Sequence, residues 1–525
     1  MYNDEKVTLK APLLYLLLGL ISGFVIANNG PSISPIILAV IGVTLTLSSF
    51  FFRGFNYIWL PIFLCACVCT FWSYASIRLS HSSSEILYNL PPREAKISIE
   101  IERIFKSDGK YSSTSGVARV VKSPLFSRIS PNSLTYFSIK SPKDLEIKIQ
   151  EGMQLEAIGV LSPTKCEGLG SFNNYLLKNG VYYRFEKSVA LQQIKSPPRF
   201  TLFCERMNKK FLYYLRAGKL HESTISNIYT AMLLGRRADL DNDQIGRYQQ
   251  TGTMHFFAIS GLHVGVIATF LYQFLNLIRI PHNMNPWIGL PILYLYVEIT
   301  GSSSSAVRAF LMVAFFWVSF ALSRQQNTLS ALVSSAVLVL LHEPRQLWNV
   351  GFQLSYTVVL SILIFGLPLK AILSKKLRPF TWLPKSSWRL RNHVCTWVID
   401  NLILLFCISL AAWLASAPLS AALFGFIAPV AILLNILIIN LAALVICTGM
   451  LSLIVGILLP IEICAFINHA AWLNLSIIDW LIISCRGVPG TILETQGFSL
   501  KISYSILFCY FSILFYYHHR RDRIS

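Results

Sequence analysis

The stretch Thr251-Gly-Thr-Met-His-Phe-Phe-Ala-Ile-Ser-Gly-Leu-His-Val-Gly265 decides how the rest of the chain is read. It is apolar enough to lie in a membrane, yet it holds His255, Ser260 and His263 among the glycines at 252, 261 and 265. A helix that faces lipid needs none of these groups. Polar side chains at membrane depth are costly and usually face a bundle interior or a water-filled path. Glycines let a membrane helix break or approach a neighbour closely. The stretch is therefore expected to form the polar centre of an integral membrane protein, and the remaining chain must supply the wall around it.

Composition agrees. Of 525 residues, 54% are hydrophobic and only 13% charged, where about a quarter charged is usual in soluble domains. Mean hydropathy is +0.55. The formal net charge of +20 suits positive-inside anchoring and equally suits a surface that meets an anionic polymer or lipid headgroups. Eleven cysteines show no paired CxxC zinc spacing. Cys166 and Cys204 fall in the one long polar region and are a candidate disulfide if that region lies outside the cytoplasm; free thiols are the alternative. Ala11–Ala27 lacks a clear cleavage site and reads as a first transmembrane helix.

Spanning a bilayer takes about 20 apolar residues. Three candidates come first, Ala11–Ala27, Ile33–Phe52 and Tyr57–Ile77, and with Lys6, Lys10 and Arg53 inside they leave the chain outside the membrane near His81. Residues 80–220 then carry 22 Lys and Arg against 12 Asp and Glu. Short alternating runs predict strands at Ile97–Phe105, Val117–Lys122, Leu134–Lys140 and Gln154–Leu161, with two more at Val181–Glu186 and Leu191–Ile194. Together they suggest a small β-barrel or sandwich, which is either a nucleic-acid module or a plain structural domain. Arg199–Lys219 mixes aromatic and basic residues and suits a membrane surface. Ile225–Leu234 is too short to span. Further candidate spans follow at His255–Leu277, Trp287–Thr300, Ala306–Leu322, Leu329–Leu341 and Gly351–Leu367. After a basic loop at Lys370–Arg391 come Ile399–Leu423, Ile427–Ile439, Leu441–Leu459, Ile463–Ile483 and Leu500–Tyr517. The expected fold is a polytopic α-helical membrane protein of about ten to twelve spans, some re-entrant or broken, with a small β-rich extracytoplasmic domain. Its expected divisions are N-terminal helices at 1–79, the β domain at 80–198, an interfacial segment at 199–222 and a helical membrane domain at 223–525.

Three constellations stand out. His255 and His263 are about two helical turns apart and share a face only if the helix is unbroken. They suit a polar lining, a proton relay or simple bonding to backbone carbonyls. Thr300-Gly-Ser-Ser-Ser-Ser-Ala-Val-Arg308 places hydroxyls at a helix start ahead of a fixed cation, so Ser303, Ser305 and Arg308 are candidate phosphate contacts; a serine cap with a snorkelling arginine is the alternative. Gly351-Phe-Gln-Leu-Ser355 adds Gln353 and Ser355, which suit interhelical hydrogen bonds. Glu298 is an acid in apolar surroundings, a candidate partner for Arg308. The chain has no phosphate-binding Walker loop and no GxSxG elbow. Ser260 beside His263 is the one pair that suggests a nucleophile and base. No catalytic residue, metal or cofactor is expected.

His255-Phe-Phe-Ala-Ile-Ser-Gly-Leu-His263, with Gly252-Thr253 before it and Leu233-Leu-Gly235 upstream, resembles the hallmark of the ComEC family, the DNA-uptake channels of competent bacteria. Thr300-Gly301 with Arg308, and Gly351-Phe-Gln-Leu-Ser355, resemble the family's later membrane motifs in the right order. Gly168-Leu-Gly-Ser-Phe-Asn-Asn-Tyr-Leu177 with Gly180 resembles the segment that closes its OB-like domain. Arg236 stands where the family often has an acid, and Ser304 where it often has proline. The resemblance implies passage of single-stranded DNA across the bacterial inner membrane and an OB-like DNA-binding module outside it. Gly252, His255, Ser260, Gly261, His263, Arg308, Gln353 and Ser355 are then expected to line or brace the pore, with both termini cytoplasmic. Many members carry a C-terminal metallo-β-lactamase-like nuclease domain. The form without it is expected here, so a separate nuclease, a DNA receptor and a cytoplasmic helicase-type motor are the expected partners besides DNA and lipid. A secondary transporter for a small anion or metabolite is the rival reading.

Overall fold

A computed structural model describes residues 13–524 except 32, 53, 80–90, 108–112, 125–128, 141–148, 166–171, 219–223, 237–238, 258, 324–326, 381–382, 487–490 and 496. Two compact units emerge, one made chiefly of residues 15–207 and the other of residues 208–338 with 350–525.

The first unit begins with three apolar helices, Leu14–Asn29, Pro35–Phe51 and Asn56–Leu79. Gly19 and Gly23 lie on one face of the first, against the third. A Cβ on Gly19 would come within 2.5 Å of Cys67 Cβ, and one on Gly23 within 2.8 Å of the Val68 carbonyl. This pairing lets two backbones approach without a hydrophobic driving force, which lipid does not supply.

The β domain of this unit holds β1 Arg93–Ser107, β2 Ser113–Lys122, β3 Leu134–Lys140, β4 Gln154–Pro163 and β5 Val181–Lys195. The two runs expected at Val181–Glu186 and Leu191–Ile194 are one strand, because β5 pairs along its length, parallel with β3 and antiparallel with β4. β1 likewise serves two neighbours, β2 and β4. Register shifts in β1 at Ser98/Ile99, Ile101/Arg103 and Ile104/Lys106 bend it between those partners, as bulges do. The order β1-β2-β3-β5-β4 returns to β1, so the mixed sheet closes on itself. Alternation puts Ile97, Ile99, Ile101, Val120, Phe137, Ile139, Leu155 and Phe185 inside. A short helix, Phe172–Lys178, joins β4 to β5.

The second unit is helical. Among the described residues seven helices are long and apolar enough to cross a membrane, and six of them belong here: Ser304–Ala321, Val350–Lys376, Leu390–Phe424, Ala431–Leu458, Ile461–Cys485 and Leu500–His518. Shorter apolar helices at Thr224–Leu234, Gly261–Leu277 and Thr328–His342 join them. The protein is thus a multi-pass membrane protein with a mixed β-sheet domain. Three boundaries differ from the sequence expectation. Lys370–Arg391 is no simple loop, since the Val350–Lys376 helix runs into it. Ile427–Ile439 and Leu441–Leu459 merge into one 28-residue helix, Ala431–Leu458. Asn440 does not interrupt it, because an apolar setting offers the backbone no partner except its own helix. A polar helix, Asn242–Gln250, precedes the central motif and was not expected.

Candidate functional site

The central motif is a broken helix. After Asn242–Gln250 the chain turns at Thr251 and Gly252, forms one 3-10 turn at Met254–Phe257, and restarts as a helix at Gly261. His255 and His263 therefore do not share a helical face. The break is built locally. Gly252 has φ +71°, a left-handed conformation that glycine adopts without steric cost. The buried hydroxyls of Thr251 and Thr253 lie 2.8 Å apart, and the Thr253 N–H donates to the Tyr248 carbonyl at 2.9 Å.

Ser260 caps the new helix. Its N–H and Oγ both approach Nδ1 of buried His263, at 3.4 and 2.9 Å, forming a capping box in which histidine stands at the usual Glu/Gln position. Both bonds need Nδ1 as acceptor, which places the neutral ring's proton on Nε2. His255 instead is exposed, and its Nδ1–H donates to the Gly252 carbonyl at 3.1 Å. The two histidines brace opposite ends of the break.

Distant segments hold the break in place. Tyr248, fully buried, donates its hydroxyl to Asp479 of the Ile461–Arg486 helix at 2.8 Å and packs on Phe257 with ring centroids 4.0 Å apart. Gly252 faces Ala428 and Ala431, where a Cβ would meet their methyls at 3.2 Å. The Ile259 carbonyl accepts from Ser305 at 2.6 Å and from Ser303 at 3.5 Å. Ser303 also caps its own helix by accepting from the Ala306 N–H at 3.3 Å. The serines singled out as phosphate contacts thus serve the protein's own backbone. Asp479 and Tyr248 escaped the sequence reading; an acid within an apolar helix was the signal that could have found Asp479.

Arg308 is buried, and one Nη donates to the Gly351 carbonyl at 3.0 Å. Its Nε and other Nη have no hydrogen-bond partner among the described residues. The expected pairing with Glu298 is not among the ion pairs of the described residues, because Arg308 turns to the Val350–Ser361 helix instead. Gln353 of that helix accepts from the Tyr504 hydroxyl at 3.0 Å, and Ser355 is half-buried beside it. The candidate disulfide lies outside the described residues because Cys166 does; Cys204 is buried. Among the described residues no cluster of three His, Cys, Asp or Glu is placed to hold a metal.

Sequence comparison covers this region. A family model described as Competence protein matches residues 232–521, more than half of the chain. ComE operon protein 3 of Bacillus subtilis is 28% identical over 225 residues, which is 42% of this chain and 29% of that protein. Recombination protein 2 of Haemophilus influenzae is 27% identical over 190 residues, 33% of this chain and 24% of that protein. Each match spans less than a third of the relative's length. No solved structure matches.

Proposed function

The chain belongs to the Competence protein family, and from that premise we propose that it carries single-stranded DNA across the bacterial inner membrane during DNA uptake. The observation that supports this most is Arg308. A guanidinium buried in a helical membrane unit, with two donor groups unmet, costs several kcal/mol unless an anion compensates it. A phosphodiester passing through the unit supplies that anion transiently, at a site where a permanent carboxylate would block exchange. Gly252, His255, Ser260, Gly261 and His263 then shape the broken helix that leaves room for passage, and Gln353 and Ser355 add polar surface. Ser303 and Ser305 act through the backbone they hold, with any phosphate contact secondary. The closed sheet is read as an OB-like domain outside the membrane, with both termini cytoplasmic. A helicase-type motor, a nuclease and a DNA receptor are the partners that this reading calls for.

Deleting the gene should abolish entry of labelled DNA into the cytoplasm; normal entry in the deletion strain sinks the reading. In the complemented strain, Arg308→Gln should lower uptake by about tenfold or more, the value of one or two charge-assisted bonds. Its melting temperature should hold or rise, since an uncompensated buried charge is removed. A structural arginine would instead lower the melting temperature. The rival, a transporter for a small anion, is favoured if purified full-length protein fails to bind single-stranded DNA at low salt, where phosphate contacts are strongest.

A further inference from the structure

We propose that the cavity beside the end of the Arg199–Leu215 helix is a headgroup site for phosphatidylethanolamine, whose phosphate and ammonium groups meet Lys209, Arg216 and Glu462. The inference concerns the bilayer and does not depend on what the protein transports.

The cavity sits at headgroup depth. The helices Ala431–Leu458 and Ile461–Arg486, both with the length and apolarity of membrane spans, are joined by Leu459 and Pro460 alone. Their turn therefore lies at one membrane surface. The end of the Arg199–Leu215 helix is pinned to that turn. The Tyr214 ring lies on Gly456, where a Cβ would come within 2.6 Å of it. Asn468 Nδ2 donates to the Tyr214 carbonyl at 2.8 Å and to the Ala217 carbonyl at 3.3 Å. Gly218, at φ +88°, packs on Ala465, whose methyl a Cβ would meet at 2.7 Å. Beside these contacts lies a space of about 530 Å3, with Lys209, Tyr213, Arg216, Glu462 and Ala465 in its wall.

That wall carries both signs of charge. Lys209 and Arg216 supply cations, and Arg216 is oriented by Asp239 at 3.3 Å and Asn227 at 3.4 Å. Glu462 stands exposed on the first turn of its helix. An anionic headgroup would be repelled by that carboxylate, whereas a zwitterion complements both signs. A carboxylate only accepts hydrogen bonds. Ethanolamine has N–H groups to donate to it, and choline has none.

Below Glu462 the same helix offers a track for acyl chains. Phe466, Leu473, Ile477 and Trp480 follow it at helical spacing on one face. All four are exposed, Phe466 by 80%. A ligand with a zwitterionic head and two aliphatic chains fits the cavity and the track together. A nucleic-acid strand has nothing to place on the track. Exposed Tyr213 adds the kind of ring that settles at headgroup level.

The test is native mass spectrometry of full-length protein released from detergent micelles, with dioleoyl phosphatidylethanolamine, phosphatidylglycerol or phosphatidylcholine added at equal concentration. The ethanolamine lipid should be retained about fivefold more than either of the others, the upper end for a partly exposed ion pair. Glu462→Gln should erase that preference and raise retention of phosphatidylglycerol. Lys209→Gln should lower retention of the ethanolamine lipid about fivefold. Both side chains are exposed, and melting curves in lipid-free micelles should match the native protein's. Equal retention of the three lipids by the native protein overturns the site, as does a preference that survives Glu462→Gln. Soluble O-phosphoethanolamine should compete weakly because it lacks the chains; competition equal to that of the lipid would assign the cavity to a free phosphate ester. Displacement of the lipid by a twelve-nucleotide oligo(dT) would assign it to nucleic acid. Either result overturns the lipid site.

Discussion

Ser260 and His263 have the spacing and the 2.9 Å hydrogen bond of a nucleophile and its base, yet the same atoms form a helix cap. The ring nitrogen that would accept a proton for catalysis already receives the Ser260 N–H. Ser260→Ala is therefore expected to cost about 1 kcal/mol of stability, as loss of a cap does, and to leave DNA uptake largely intact. A melting curve and an uptake assay on the same variant check both parts; abolished uptake with unchanged stability would favour hydrolysis over capping. Ser305 teaches the same lesson. A hydroxyl at a helix start invites an anion, but here it reaches the Ile259 carbonyl of another element. Arg308 reads differently because burial without a carboxylate cannot be offset by a cap.

At the scale of the element, the break between Gln250 and Gly261 depends on one glycine more than on the others. Gly252 combines a φ of +71° with methyl groups close on its open side. A branched side chain there meets backbone strain of about 1–2 kcal/mol as well as crowding against Ala428 and Ala431. Gly252→Val is expected to lower the melting temperature sharply. Gly265 lies inside the following helix, where an added Cβ would meet nothing within 4 Å, so Gly265→Ala should be neutral or slightly stabilising. Equal damage from both substitutions, read by melting in detergent, would mean that the break is not the constrained feature. The Val350–Lys376 helix carries a milder irregularity, a π turn at Ile362–Gly366. His518, from the end of the chain's last helix, meets the Ile364 carbonyl at 2.8 Å, so the irregular turn has a partner of its own.

Across the whole molecule, the sheet domain carries a titratable group whose environment sets a pH dependence. Burial pushes the Glu151 carboxyl up from its usual value, against smaller opposing pulls from the Ile104 N–H bond and Arg103. A raised folded-state pKa means that the native state holds its proton longer than the unfolded chain does. The associated stability is complete below the ordinary carboxylate range, near pH 4.5, and is lost as pH rises through the raised value. Glu151→Gln should abolish that loss. The melting temperature of native protein minus that of the variant should become more negative from about pH 4 upward, and a difference that is flat or rises with pH refutes the assignment.

Much of this protein is local in origin and was legible in the sequence. Apolar runs too long for soluble helices marked the membrane segments, and alternation marked β1 to β4, because side-chain periodicity follows from backbone geometry alone. The polar, glycine-rich character of residues 251–265 announced a breakable membrane segment for the same reason. What periodicity could not carry was pairing. Val181–Lys195 reads as two pieces until β3 and β4 are seen along its length. Asp479 is one acid in an apolar helix until Tyr248, 231 residues earlier, reaches it. Ser305 and Arg308 look alike as anion ligands until one is found holding Ile259 and the other left with donors to spare. Hydrophobicity and backbone propensity act within a few residues and are written along the chain. Partners for polar groups in an apolar interior are chosen by packing, and only the tertiary structure decides them.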